Sequence, residues 1–152
     1  MNTTAAWSLL AIVVFAAAIV FLFLPGRGIR NNATQTIALT QTILAEFDIA
    51  NDSSAIRLRG SGDGELESLS LNREIALALK NTMPKSQSKY IYGDGLFHDA
   101  WGRPLQFALT NSPAYEKLQP RLRGKSRPFT VWSTGPNGMN EGGFGDDVFA
   151  DY

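Results

Sequence analysis

Cysteine is absent from the 152-residue chain, and histidine occurs only once. The absence of cysteine excludes a disulfide framework, a thiolate metal site and a cysteine nucleophile. No charge of one sign prevails either, because 14 lysines and arginines balance 14 aspartates and glutamates. Since the chain has no basic excess, we expect no nucleic-acid partner.

Charged side chains are also missing from residues 1–26. The run from Ala5 to Leu24, AAWSLLAIVVFAAAIVFLFL, is interrupted only by Ser8. As a helix it would span about 30 Å, the hydrocarbon thickness of a bilayer. The alternatives are a cleaved signal peptide and a buried core helix, but the leading MNTT contains no basic residue, and FLFLPGRG at the end of the run contains no A-x-A cleavage pattern. We therefore predict a transmembrane anchor over residues 1–26 and a single domain over residues 27–152.

Two amphipathic helices are predicted after the anchor. The first covers residues 31–50, begins at one of two asparagines, and has an apolar stripe at spacings of three and four. The stripe comprises Ala33, Ile37, Thr40, Leu44 and Phe47. A polar loop over residues 51–68 leads to the second helix, residues 70–81, for which Ser70 or Asn72 is the expected cap.

Three short segments rich in aromatic and branched residues are strand candidates. They are residues 90–93, 104–109 and 128–133. Turn residues separate them, which favours an antiparallel sheet, and the polar stretch 110–127 is expected to be an exposed connection. The predicted fold class is α+β: the transmembrane helix continues into the amphipathic helix, which packs on this small antiparallel sheet.

Catalytic signatures are scarce. His98 lies beside Asp99, but the chain has no G-x-S-x-G segment before a helix and no H-E-x-x-H motif. A single histidine in a turn is more often structural than catalytic. We therefore expect no enzyme activity and assign no catalytic residue.

The stretch GPNGMNEGGFGDD, residues 135–147, is rich in glycine and oxygen-bearing side chains. Asn137, Asp146 and Asp147 supply side-chain oxygens, with Asn140 and Glu141 between them. Calcium prefers such ligands together with backbone carbonyls, although the spacing does not fit an EF-hand. The residues alone leave two interpretations open, a solvated loop and a loop folded around a hard cation, and they favour the first.

Several segments together resemble the major pseudopilin of type II secretion systems. They are the hydrophobic helix that leads into an amphipathic one, the turn DAWGRPLQF at 99–107, the strand FTVW, and the loop STGPNG followed by GFGDDV. In that family the terminal loop binds calcium. Carried over by position, the resemblance implies ligands at Thr134 (through its backbone carbonyl), Asn137 and Asp146, whereas Asp147 either ligates the ion or supports the loop.

The resemblance also implies a function and a location. It implies a structural subunit of a type II secretion pseudopilus-like assembly, a single-pass inner membrane protein with residues 27–152 on the periplasmic side. Its partners would be further copies or other pseudopilins, contacted through the N-terminal helix, and membrane proteins of the secretion system. Arg27 and Arg30 after the anchor point instead to the cytoplasmic side.

The alternative function is a monomeric, membrane-anchored binding module that reuses the fold. It is favoured by the absence of any acidic residue before Glu46, because the family has a glutamate near the start of its mature chain.

Overall fold

A computed structural model describes residues 28–49, 65–123 and 127–150. The predicted anchor over residues 1–26 lies outside these ranges. None of the helices in the described ranges is both long and apolar enough to cross a bilayer. The chain divides into two compact units, Met1–Asn31 and Asn32–Tyr152.

The first described helix, α1, covers residues 28–49. Asn31 and Asn32 therefore lie inside the helix, and the prediction that one of them caps it is wrong. Its buried apolar side chains are Leu39, Ile43, Leu44 and Phe47. This face is turned slightly from the predicted stripe, because Ala33 and Ile37 are only half-buried while Leu39 and Ile43 are fully buried.

The second helix, α2, covers Glu65–Leu79 and begins five residues earlier than the sequence pattern indicates. Part of the predicted loop at 51–68 is thus helical. Ser70 lies inside the helix, so the prediction that it or Asn72 caps the helix is wrong. Asn72 lies in the middle of the helix. Its side chain donates to the carbonyls of Phe97 and Leu105 at 3.0 and 2.9 Å and accepts from the Phe97 N–H at 2.7 Å. A short helix, α3, follows at Lys85–Ser88.

Two strands form the sheet, β1 at Gln106–Leu109 and β2 at Phe129–Trp132. They are antiparallel, with Gln106 opposite Trp132 and Leu109 opposite Phe129. The first strand candidate, residues 90–93, contributes only an isolated bridge between Ile91 and Phe97. The α+β class is confirmed as a mixture of helices with a small antiparallel sheet.

Both faces of this sheet are covered. On one face, side chains from α1 and α2 pack against Phe107, Phe129 and Val131, and the Phe47 and Phe129 rings meet edge to face with centroids 4.7 Å apart. On the other face, Ala108 and Trp132 pack against three residues of the segment after β1, Tyr115, Leu118 and Leu122.

The connection between the strands is therefore not an exposed excursion. It contains a short helix, α4, at Pro113–Glu116, whose first turn is capped by Ser112. Its apolar residues at 115, 118 and 122 have helical spacing and cover the second face of the sheet. The prediction failed because these three residues are scattered among many polar ones.

Candidate metal centre

The terminal loop is held at both ends by one backbone bridge. The Ser133 N–H donates to the Val148 carbonyl at 2.8 Å, and the Val148 N–H donates to the Ser133 carbonyl at 3.0 Å. Ser133 directly follows β2, so the bridge ties the far end of the loop to the sheet. Residues 134–147 thus form a closed loop with a fixed base.

The turn at 99–103 supports this base. Asp99 is fully buried, and its Oδ1 accepts from the N–H groups of Trp101 and Arg103, both at 2.9 Å. Its Oδ2 accepts from the Ser133 hydroxyl at 2.6 Å, and the Ser133 oxygen in turn accepts from the Gly135 N–H at 3.0 Å. One carboxylate therefore shapes the turn and fixes the start of the loop.

Arg103 forms a second link between the turn and the loop. Its guanidinium donates to the carbonyl of Gly135 and, at 3.0 Å, to the carbonyl of Pro136. Two parallel bonds from one planar group fix the direction of both carbonyls. The DAWGR segment thus has a structural role in orienting the terminal loop.

Three carboxylates converge inside the loop. Glu141, Asp146 and Asp147 each offer one oxygen, and these oxygens lie within 4.8 Å of one another. Glu141 is exposed and Asp146 half-buried, while Asp147 is only 9% exposed. Like charges at this separation repel each other unless a cation or a proton lies between them.

Backbone N–H groups hold each carboxylate in place. Asp147 Oδ2 accepts from Glu141 and Gly143 at 3.0 and 2.7 Å. Asp146 Oδ2 accepts from the Asn137 N–H at 3.0 Å, and Glu141 Oε2 accepts from the Asp146 N–H at 3.2 Å. The loop thus uses one oxygen of each acid to fix its own shape.

The remaining oxygens of the two aspartates are unsatisfied. Asp146 Oδ1 and Asp147 Oδ1 are buried, and neither has a hydrogen-bond partner within the described residues. Buried polar atoms are nearly always paired, so an unpaired carboxylate oxygen needs an explanation. A hard cation bound between the carboxylates would satisfy both atoms, and the all-oxygen donor set fits calcium.

The electrostatics of Asp147 agree with this geometry. The pKa of Asp147 is raised from 3.8 to about 6, with burial as the largest cause. The charges of Glu141 and Asp146 also raise this pKa, and two backbone N–H donors lower it. A carboxylate with this environment binds either a proton or a cation more readily than an exposed one.

Glycine at position 145 makes the close approach of Glu141 possible. Its φ is +61°, and a Cβ atom there would lie 2.0 Å from Glu141 Oε2. Any side chain would therefore displace the carboxylate that joins the cluster.

Three of the four residues predicted as ligands lie at this cluster. Asp146 and Asp147 belong to it. Asn137 borders it, with Nδ2 3.5 Å from Glu141 Oε2 and Oδ1 accepting from the Met139 N–H at 2.6 Å. The Thr134 carbonyl accepts from the Gly138 N–H at 3.2 Å. Whether these four residues bind a cation stays a prediction.

Sequence reasoning missed Glu141 as a ligand candidate. The position-by-position comparison with pseudopilins placed the first acidic ligand at residue 137, where this chain has asparagine. In the structure, Glu141 instead supplies the third carboxylate. The available signal was its place in the same loop, five residues before Asp146.

His98 and Asp99, the weak catalytic candidates, both have structural partners. His98 Nδ1 donates to the Gly102 carbonyl at 3.0 Å, and Nε2 lies 2.9 Å from Asp94 Oδ2. The imidazole also stacks on Tyr92, with ring centroids 4.1 Å apart. Asp99 is committed to the turn and to Ser133.

Comparisons of the chain with protein-family models, curated proteins and solved structures find no match. The function is therefore argued from the geometry and from the resemblance in the sequence.

Proposed function

We propose that this protein is a non-enzymatic structural subunit whose terminal loop is ordered by calcium. It would act, anchored in the membrane, in a type II secretion pseudopilus-like assembly. The observation that carries the proposal is the pair of buried, unpartnered oxygens on Asp146 and Asp147, in the loop for which the pseudopilin resemblance implies calcium.

The donor set favours calcium over other metals. The cluster offers carboxylate oxygens, and backbone carbonyls and the Asn137 amide lie in the same loop. Zinc prefers cysteine and histidine ligands, and the chain has no cysteine, while His98 is engaged elsewhere. Magnesium requires near-ideal octahedral geometry and keeps several waters, whereas calcium accepts irregular oxygen cages.

Calcium would stabilise the loop by offsetting the repulsion among three carboxylates. The loop base is already fixed by Asp99, Ser133 and Arg103. The cation would fix the opposite part, where Glu141, Asp146 and Asp147 meet. Both parts together would give a rigid surface, which an assembly subunit needs.

The remaining parts of the proposal rest on the sequence. The apolar run from Ala5 to Leu24 would anchor the chain in the inner membrane and pack against copies of itself or other pseudopilins. Residues 27–152 would lie on the periplasmic side, in contact with membrane proteins of the secretion system.

Thermal unfolding of the full chain in detergent tests the metal site. We expect the melting temperature to rise with calcium, to rise less with magnesium, and to fall back with chelator. Glu141→Gln and Asp146→Ala should each remove the calcium response. Glu116→Gln, which changes an exposed carboxylate outside the loop, should leave it intact.

Identical melting curves with calcium and with chelator would refute the calcium-ordered loop. Chemical crosslinking of the full chain in membranes tests assembly separately, since a structural subunit should give ladders of copies through its N-terminal segment.

A second candidate function is the monomeric, anchored binding module. It is favoured by a groove of about 710 Å³ beside the loop, lined among others by Phe107, Lys117, Trp132 and Glu141. A protein or glycan bound there would contact both an apolar floor and charged groups. Absence of crosslinked copies, with a calcium response retained, would favour this function.

A further inference from the structure

Six large apolar side chains are exposed in the described part of the second compact unit, and four of them lie at two places, a groove and the terminal loop. Leu77 and Tyr92 are 74% and 45% exposed, and Met139 and Phe144 are 64% and 49% exposed. Single exposed apolar residues are ordinary, whereas apolar side chains that share a surface with charged groups mark a candidate interaction site.

The first pair lies in a groove between α2 and the segment 88–95, called here the α2 groove. It has a volume of about 720 Å³ and is lined by Leu77, Ile91 and Tyr92 together with Arg73 and Lys80. Both cations are exposed. Neither makes an ion pair within the described part of the chain, so the groove combines apolar contact area with available positive charge.

The second pair lies in the terminal loop, which has the opposite charge. Met139 and Phe144 flank Glu141, and Asp146 and Asp147 follow within the same loop. A bound divalent cation would leave the three carboxylates with one net negative charge, so the loop stays acidic in both states.

We propose that the α2 groove of one copy receives the terminal loop of a second copy. Met139 and Phe144 would lie against Leu77 and Tyr92, since thioether and aromatic groups pack favourably against aromatic rings. Arg73 and Lys80 would face the acidic loop. This inference rests on the proposed function as an assembly subunit and specifies which surfaces the subunits use.

The geometry of such a contact determines the kind of assembly. The two surfaces differ, so the contact is heterologous, and each added copy leaves one free groove and one free loop. Copies would therefore add head to tail, in a row or a ring, through the domain as well as through any contact between N-terminal helices.

Site-specific crosslinking of the full chain tests this contact on a cysteine-free background. Leu77→Cys and Phe144→Cys are placed on separately tagged copies, mixed in detergent and treated with a short bismaleimide. Leu66→Cys is the matched control, because Leu66 lies on the same helix, is 78% exposed and is not part of the groove. Unchanged melting temperatures establish that each variant is folded.

We expect mixed dimers of L77C with F144C at a yield several-fold above that of L66C with F144C. Reversing the groove charges with Arg73→Glu and Lys80→Glu in the L77C copy should reduce the yield to the control level. Equal yields from L77C and L66C, or L77C–L77C dimers in excess of mixed ones, would overturn the proposal.

Failure of this contact is distinguishable from failure of the proposed function. The calcium response is measured on the same preparations by thermal unfolding. The calcium response and the crosslinked ladders through the N-terminal segment could persist while L77C yields stay at the control level. That result would refute the groove contact alone.

Discussion

At the scale of single residues, two buried aspartates have contrasting roles. Asp99 uses both carboxylate oxygens for hydrogen bonds to the turn and to Ser133. Asp147 uses one oxygen for two N–H groups and leaves the other unpaired. The first arrangement is complete within the protein, whereas the second needs a proton or a cation from outside.

Substitution of Gly135 tests the structure described for the base of the terminal loop. Its φ is +60°, and a Cβ there would lie 2.1 Å from the Asp146 carbonyl oxygen. We expect Gly135→Ala to lower the free energy of unfolding by about 3 kcal/mol, from backbone strain plus the clash. Denaturant unfolding in chelator gives the value.

Two other glycines separate the cost of backbone strain from the cost of the clash. Gly95 has φ +76° but open space, so Gly95→Ala should cost about 1 kcal/mol from backbone strain alone. Gly93 has neither feature, so Gly93→Ala should be close to neutral. Equal costs at all three positions would contradict the described loop base.

The raised pKa of Asp147 predicts a pH dependence of stability without calcium. Between pH 3.8 and about pH 6, the folded chain holds a proton on Asp147 that the unfolded chain has released. Its contribution to stability is therefore present at low pH and is lost as the pH rises through about 6. Asp147→Asn keeps an oxygen acceptor for the two N–H groups and does not titrate.

We thus expect Asp147→Asn to have a higher melting temperature than the wild type at pH 7 in chelator, and a smaller difference at pH 4. With calcium at pH 7 the wild type should regain stability and the variant should not. A difference between the two proteins that stays constant from pH 4 to 7 would contradict the assigned environment of Asp147.

At the scale of elements, the polar side chains of α2 attach it to the rest of the fold. Asn72 bonds three backbone groups around residues 97 and 105, and the Ser68 hydroxyl accepts from the Phe107 N–H at 2.8 Å. The sheet has two strands within the described residues. These bonds take the place of the backbone hydrogen bonds that a third strand would supply beside β1. The α2 helix therefore contacts the sheet through hydrogen bonds as well as through apolar packing.

Asn72→Ala should lower the free energy of unfolding by about 3 kcal/mol, because the buried Phe97 N–H and the Leu105 carbonyl lose this partner. The Phe97 carbonyl keeps a bond from the Leu105 N–H at 2.9 Å. Ser70→Ala, a change in the same helix, should cost less than about 0.5 kcal/mol. The comparison is made by denaturant unfolding, and equal costs of the two changes would contradict the role given to Asn72.

The elements show which features were predictable from sequence. Helical spacing of Leu71, Ile75 and Leu79 locates α2, but its first turn has a polar sequence that resembles a loop. Residues 90–93 have strand composition, yet they form only one bridge, because no strand runs beside them in the part of the chain that the structure describes. The acidic pair at 146–147 marks the candidate site from sequence, whereas the place of Glu141 depends on how the glycines fold the loop.

At the scale of the whole molecule, stability is divided between a core and a loop. The sheet is covered on both faces by apolar side chains, whereas the terminal loop relies on hydrogen bonds and on charge. Regions of this second kind open at lower free energy than the core does. Without calcium, the loop should therefore open at a lower free energy than the core does.

Hydrogen exchange measures this division directly. In chelator, the amides of Glu141 and Gly143, which bond to Asp147, should exchange faster than those of Phe107 and Val131 in the sheet. Calcium should slow the first pair, and it should slow the second pair only where exchange requires unfolding of the whole unit. Equal exchange rates of both pairs in chelator would mean that the loop and core unfold as one unit.

The hydrogen bond from Trp132 to the loop gives the protein an optical reporter. The indole N–H of this buried residue donates to Asn140 Oδ1 at 3.1 Å, so its ring lies between the second face of the sheet and the terminal loop. With Trp7 and Trp101 replaced by phenylalanine, the emission of Trp132 alone would follow the loop. Cation binding could then be read in real time from intrinsic fluorescence, without a label.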